Sequence, residues 1–210
     1  MEKIGTHIWY TSYGSNISED RFMCYIRGGK PEGATRTYVG CNDKNAPIDQ
    51  KPINVPHELY FAKEAQVWNG GGVCFINPER EEQANTLGNM YLITQEQFLE
   101  VVQQENNIAD PIKIDFNKTY KNESSIAREN SWYGNILYLG QENNAPIFTF
   151  TNQHYLKNEI NFPNEQYLKT IMKGLIKSHK LKYSELEAYF LNKTPTNPSI
   201  INNAIRSLQK

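Results

Sequence analysis

The hydrophobic pattern of this chain changes period along its length, from short apolar runs of strand length to apolar residues spaced for helices. Ile8, Trp9 and Tyr10 have the bulk and β-preference of a buried strand and run directly into Gly14, Ser15 and Asn16, which are turn formers. Residues 21–26 read as a short helix with Phe22, Tyr25 and Ile26 on one face, Ser18 placed to cap it and Gly28 with Gly29 to end it. Residues 35–41 read as a second strand, and the Asn-, Asp- and Pro-rich stretch 42–56 as a loop. Strand signals return at 59–62 and 66–68, break at Gly70, Gly71 and Gly72, and resume at 73–76, the pattern of a hairpin or a bulged strand.

A strand at 90–93 leads to Thr94, placed to cap a helix over 95–105 whose Phe98, Val101 and Val102 share a face. Glu105 occupies the next position of that same stripe, so its carboxylate points inward, whereas Glu96 and Glu100 fall off the stripe. Residues 110–130 read as loop with a short strand at 112–114, and 133–139 and 146–151 as two strands joined by a polar turn. Pro163 then precedes a helix striped by Tyr167, Leu168, Ile171, Met172, Leu175 and Ile176. Ser184 and Glu187 have capping-box spacing, and Asn197 with Pro198 can open a last helix. Strands followed by a helical C-terminal third predict an α+β fold, read as one domain over 1–155 with a helical extension over 156–210 packed on or appended to it.

Composition narrows the function classes. The 22 Lys and Arg against 23 Asp and Glu leave a net charge of −1, and no basic block marks a nucleic-acid partner. No run of about 18 apolar residues and no signal-peptide pattern is present, so a cytoplasmic protein without a membrane partner is expected. Cys24, Cys41 and Cys74 are odd in number and widely spaced, which fits reduced thiols rather than disulfides or a Cys-x-x-Cys metal site. His7, His57, His154 and His179 are scattered, and no His/Asp cluster has metal-ligand spacing. No metal and no cofactor is expected. A homodimer is compatible with this composition.

Tyr13-Gly14-Ser15-Asn16 after an N-terminal strand resembles the signature loop of the γ-glutamylcyclotransferase family, and three further stretches follow in that family's order. Trp68-Asn69-Gly70-Gly71-Gly72-Val73 is similar to its Trp-x-Gly-Gly segment. Residues 87–93 are similar to its Gly-x-x-Tyr/Trp strand, and 95–105 to the helix ending in its catalytic glutamate. The ordered likeness covers about half the chain and is greatest to bacterial members, some of which carry a histone deacetylase label that would call for a metal site. It implies a small mixed β-barrel with flanking helices. Asn106 follows Glu105 where the family commonly has Gly, and the likeness fades after Asp110.

The chemistry implied is intramolecular aminolysis: the α-amino group of a small γ-glutamyl substrate attacks its own side-chain carbonyl, releasing 5-oxoproline and a free amine or amino acid. The substrate brings the nucleophile, so the protein must supply a proton carrier, here Glu105, with its pKa raised by apolar neighbours. Tyr10, Thr11, Ser12, Tyr13, Gly14, Ser15 and Asn16 form the expected substrate cradle, in which backbone N–H groups, the Ser15 hydroxyl and the Asn16 amide stabilise the developing oxyanion. Ser15 as a covalent nucleophile is the weaker alternative, because Gly-x-Ser-x-Gly is absent and no His lies in a partner motif. Tyr167 and Tyr183 both stand as candidates for the family's later substrate-binding tyrosine. The competing reading is a non-catalytic small-molecule binding or regulatory module of the same fold.

Overall fold

The computed structural model describes residues 4–31, 34 and 36–209. Its organising element is strand β1 (His7–Ser12), buried along almost its whole length. It pairs antiparallel with β5 (Thr86–Thr94) and parallel with β8 (Ala145–Thr151). With β2 (Gln50–Val55), β7 (Asn135–Glu142) and β6 (Ser124–Ile126) they form a mixed sheet in the order β2-β5-β1-β8-β7-β6. A separate hairpin joins β3 (Leu59–Ala65) to β4 (Gly71–Ile76), with a register shift near Lys63. Six helices complete the described residues: α1 (Glu19–Arg27), α2 (Gln95–Glu105), α3 (Phe116–Asn122), α4 (Glu165–His179), α5 (Tyr183–Leu191) and α6 (Pro198–Leu208).

Strand alternation divides the core. Tyr10 packs among Phe22 of α1, Tyr91 of β5, Phe98 of α2 and Phe150 of β8, with ring centroids 5.3 to 6.4 Å from its own. Trp9, one residue earlier and therefore on the opposite face, meets Met90 and Ile147. Helices α4 to α6 bury Leu168, Ile171, Met172, Phe190 and Ile201 in the same apolar cluster as β3 and β4. At Gly174 of α4 an added Cβ would stand 2.7 Å from the backbone of Ile17, so only glycine lets this helix lie against the turn that follows β1.

The α+β class and the helical C-terminal third are as the sequence predicts, and the hydrogen-bonded ladder runs open from β2 to β6. Several local expectations are corrected. The expected loop at 42–56 contains β2, an edge strand in which Pro52 is tolerated because one side of an edge needs no ladder donors. The expected strand at 35–41 is irregular over 36–41, touching Gly29 through an isolated bridge at Tyr38; Thr35 lies outside the described residues. Residues 66–68 form a 3-10 turn at the hairpin corner rather than strand. The stretch 110–130 folds into α3 and β6, with Asp115 capping α3 by accepting from the Lys118 N–H. Ser18 occupies the N-cap of α1 without a side-chain bond, and α5 starts earlier than the Ser184 box implied, with Glu185 accepting from the Lys182 N–H. Thr94 and Asn197 do cap their helices.

Candidate active site

Where β1 ends, the backbone turns through Gly14 into a 3-10 segment, Ser15–Ile17, before entering α1. The Tyr91 hydroxyl holds that segment by donating to the carbonyls of Asn16 at 2.9 Å and Ile17 at 3.1 Å. The turn, the C-terminus of α2, the hairpin corner and the start of α4 enclose a cavity of about 570 Å³. Glu105 reaches it from α2, Trp68 and Cys74 from the hairpin, and Tyr167 from α4. An added Cβ on Gly14 would come within 3.1 Å of the Tyr167 hydroxyl and 3.3 Å of Cys74 Cβ, so the turn can approach these walls only without a side chain.

Asn16 and Glu105 meet directly: the Asn16 Nδ2 donates to Glu105 Oε1 at 2.7 Å. Burial pushes the Glu105 carboxyl above its ordinary range. The Arg21 guanidinium, the Tyr25 hydroxyl, the Asn16 amide and the Arg36 guanidinium oppose that rise. Glu105 keeps partial exposure through the cavity. The helix ends cleanly without glycine because Asn106 adopts φ −89°. Its side chain ties α2 to the turn before β7, donating to Val102 O at 2.9 Å and Tyr133 O at 3.1 Å while accepting from the Tyr133 N–H at 2.9 Å.

Of the predicted cradle, Tyr10, Ser12, Tyr13, Gly14, Ser15 and Asn16 line the cavity, and Thr11 does not. Strand alternation turns Thr11 to the Trp9 face, where its methyl lies near Gly88. Tyr13 spends its hydroxyl on Phe150 O at 2.7 Å, and burial raises the Tyr10 and Tyr13 phenols well above the ordinary range. Ser15 Oγ accepts from Arg21 Nε at 2.9 Å, and none of the four histidines lines the cavity, so no histidine stands ready to make Ser15 a nucleophile. Tyr167 accepts from the Cys74 N–H at 3.0 Å against the cavity, whereas Tyr183 is 37% exposed and donates to Leu208 O. The Cys74 thiol, pushed by burial up to about 12, is inert as a nucleophile.

Arg21 and Arg36 also line the cavity, and neither follows from the motifs. Arg21 stands in the first turn of α1, four residues before Tyr25 of its apolar stripe, and that placement is the one signal in the sequence. Arg36 donates to Gln104 O at 2.9 Å and lies 4.9 Å from the Tyr38 ring centroid. Among the described residues no group of three or more His, Cys, Asp or Glu stands together as metal ligands would. No helix among them is long and apolar enough to cross a membrane.

Solved structures similar to this chain are found at the level of fold. A γ-glutamyl cyclotransferase superposes with a TM-score of 0.51 at 15% identity, over 96% of this chain and 99% of that one. An uncharacterised protein from Homo sapiens does so with a TM-score of 0.52 at 14% identity, again over 96% and 99%. The chain therefore has the γ-glutamyl cyclotransferase-like fold. In sequence, histone deacetylase 5 of Arabidopsis thaliana is 38% identical over 197 residues, covering 87% of this chain and 30% of that protein. This chain thus spans under a third of that relative's length. No protein-family model matches it.

Proposed function

We propose that the chain is a γ-glutamyl cyclotransferase-type enzyme that converts a γ-glutamyl compound to 5-oxoproline and a free amine or amino acid without a metal. The observation that carries this reading is the contact between Asn16 of the Gly14 turn and a half-buried carboxylate of raised pKa, Glu105, inside one cavity. The reaction needs a base and then an acid at one place. Glu105 takes a proton from the substrate's α-ammonium, and the freed amine forms a C–N bond to the γ-carbonyl carbon, leaving an oxyanion. The turn at Gly14, Ser15 and Asn16 stabilises that oxyanion. As it collapses, the bond to the departing nitrogen breaks and Glu105 returns the proton to that nitrogen. The two hydrogens lost by the nucleophilic nitrogen, in passing from ammonium to lactam N–H, end on the departing nitrogen, which leaves as an ammonium.

A product screen by mass spectrometry tests this, using the protein and its Glu105→Gln variant on γ-glutamyl amino acids and γ-glutamylamines, with and without chelator. Chelator-insensitive 5-oxoproline that vanishes in the variant is expected. Free glutamate as product would replace cyclisation by hydrolysis through water. A panel that raises the melting temperature without turnover would replace the enzyme by a binding module of the same fold.

A further inference from the structure

Arg21 is only 7% exposed, yet among the described residues no carboxylate lies within ion-pair distance of it, and Glu105 of the same cavity acts on it only through space. A buried guanidinium normally has such a partner, because desolvating an unpaired charge is costly. Its position adds to the cost, since the first turn of a helix carries the positive end of the backbone dipole. Neutral side chains hold it in place, and Glu105 is the nearby carboxylate that acts on it electrostatically. Nε donates to Ser15 Oγ at 2.9 Å, one terminal nitrogen donates to the Tyr38 hydroxyl at 3.0 Å, and the guanidinium lies 4.9 Å from the Trp68 ring centroid. Of the five N–H groups of a guanidinium, these two bonds leave the rest for a ligand. The cavity that Arg21 lines also contains Glu105.

We infer that Arg21 is the carboxylate anchor of this cavity, donating to the α-carboxylate of the bound γ-glutamyl unit. The inference rests on the cyclotransferase reading for the identity of the unit, and on the buried guanidinium with N–H groups left over for the anchor. A carboxylate and an ammonium on one α-carbon suit a cavity offering a guanidinium and a carboxylate: the anion goes to Arg21 and the nucleophilic nitrogen is left to Glu105. Binding the α-carboxylate thereby orients the amine, and makes the site selective against amines that lack it.

The test compares matched ligands that differ only in this carboxylate. L-γ-glutamyl and 4-aminobutanoyl amides of the same amine cyclise to 5-oxoproline and 2-pyrrolidinone respectively, and those two lactams form a second pair for binding measurements by thermal shift and calorimetry. The wild-type protein should favour the carboxylate-bearing member of each pair by about 100-fold or more, the scale of removing one partner from a buried charge pair. In Arg21→Met the ratio should collapse toward one, and Arg21→Lys should keep part of it, since it retains the charge and loses the fork. A purely structural arginine would lower both members alike and leave the ratio standing, which would overturn the inference. Absence of discrimination by the wild-type protein would overturn it without any variant. Turnover of neither amide, with 5-oxoproline still bound selectively through Arg21, would remove the catalytic reading and leave the anchor. Failure to bind either lactam or either amide would remove both.

Discussion

The side-chain amide of Asn16 and the carboxylate of Glu105, 89 residues apart in sequence, are joined by a hydrogen bond of 2.7 Å. One belongs to the turn after the central strand and the other to the last turn of α2, so this bond closes the candidate site. Its N–H favours the ionised carboxylate while burial favours the protonated one, and a proton carrier needs both forms within reach.

Replacing Glu105 with Gln should lower cyclotransferase turnover by about 10²-fold or more, the usual contribution of a positioned acid/base group. Asn16→Ala should leave a measurable rate but shift its acid limb to higher pH. The amide holds the Glu105 pKa down, so its loss raises the pH needed to generate the base. A pH profile of kcat/KM for wild type and Asn16→Ala checks the direction, and an unmoved or lowered acid limb contradicts it.

Glu105 also makes stability depend on pH. Its carboxyl titrates above the ordinary 4.5 in the folded chain, so the unfolded state loses its proton first as pH rises. The contribution is therefore fully favourable below the unfolded value and is lost as pH climbs through the folded one. Glu105→Gln, which never ionises, should melt at a higher temperature than wild type near neutral pH, with the gap narrowing on acidification to about pH 4. Scanning calorimetry across that range decides it; a gap that widens in acid refutes the assignment.

Gly14 and Tyr167 should be energetically coupled. Gly14→Ala pushes a methyl to 3.1 Å from the Tyr167 hydroxyl, an overpacking worth about 1–3 kcal/mol. Tyr167→Phe leaves the Cys74 N–H without its acceptor, at about 1–3 kcal/mol. Because the second change empties the space the first one fills, the double variant should lose less stability than the two singles together. Chemical denaturation of all four proteins measures the coupling, and strict additivity would show that the two residues do not compete for space.

Asn106→Gly tests whether glycine is wanted at the end of α2. With φ at −89° the backbone does not need it, and the side chain makes three bonds to Val102 and Tyr133. The variant should be destabilised by about 1–3 kcal/mol, by urea unfolding, as the buried partners lose their bonds. A variant as stable as the parent would mean that these bonds contribute nothing net.

Periodicity made much of the scaffold legible, because local patterns have local causes. The stripe of Phe98, Val101 and Val102 with Glu105 next in line located α2 and turned its last carboxylate inward. The β-rich run ending in Gly14 located β1 and its turn. Pattern failed where an element exists through pairing with a distant partner. Strand β2, with exposed positions alternating and Pro52 inside, has little β-character of its own and forms because β5 offers it a ladder. Residues 36–41 have the opposite history: a strand-like composition that finds no continuous partner beyond Gly29.

The sequence by itself determined the α+β class, the inward carboxylate at Glu105 and the glycine turn, because a helical or strand period dictates which way a side chain faces. Tertiary structure alone decided which of those residues share a cavity. It sent Thr11 to the far side of the sheet, chose Tyr167 over Tyr183, and brought Arg21 and Arg36 beside the carboxylate. Charges and hydroxyls act through space over a few ångströms, and no spacing along a chain encodes which of them long-range packing will bring that close.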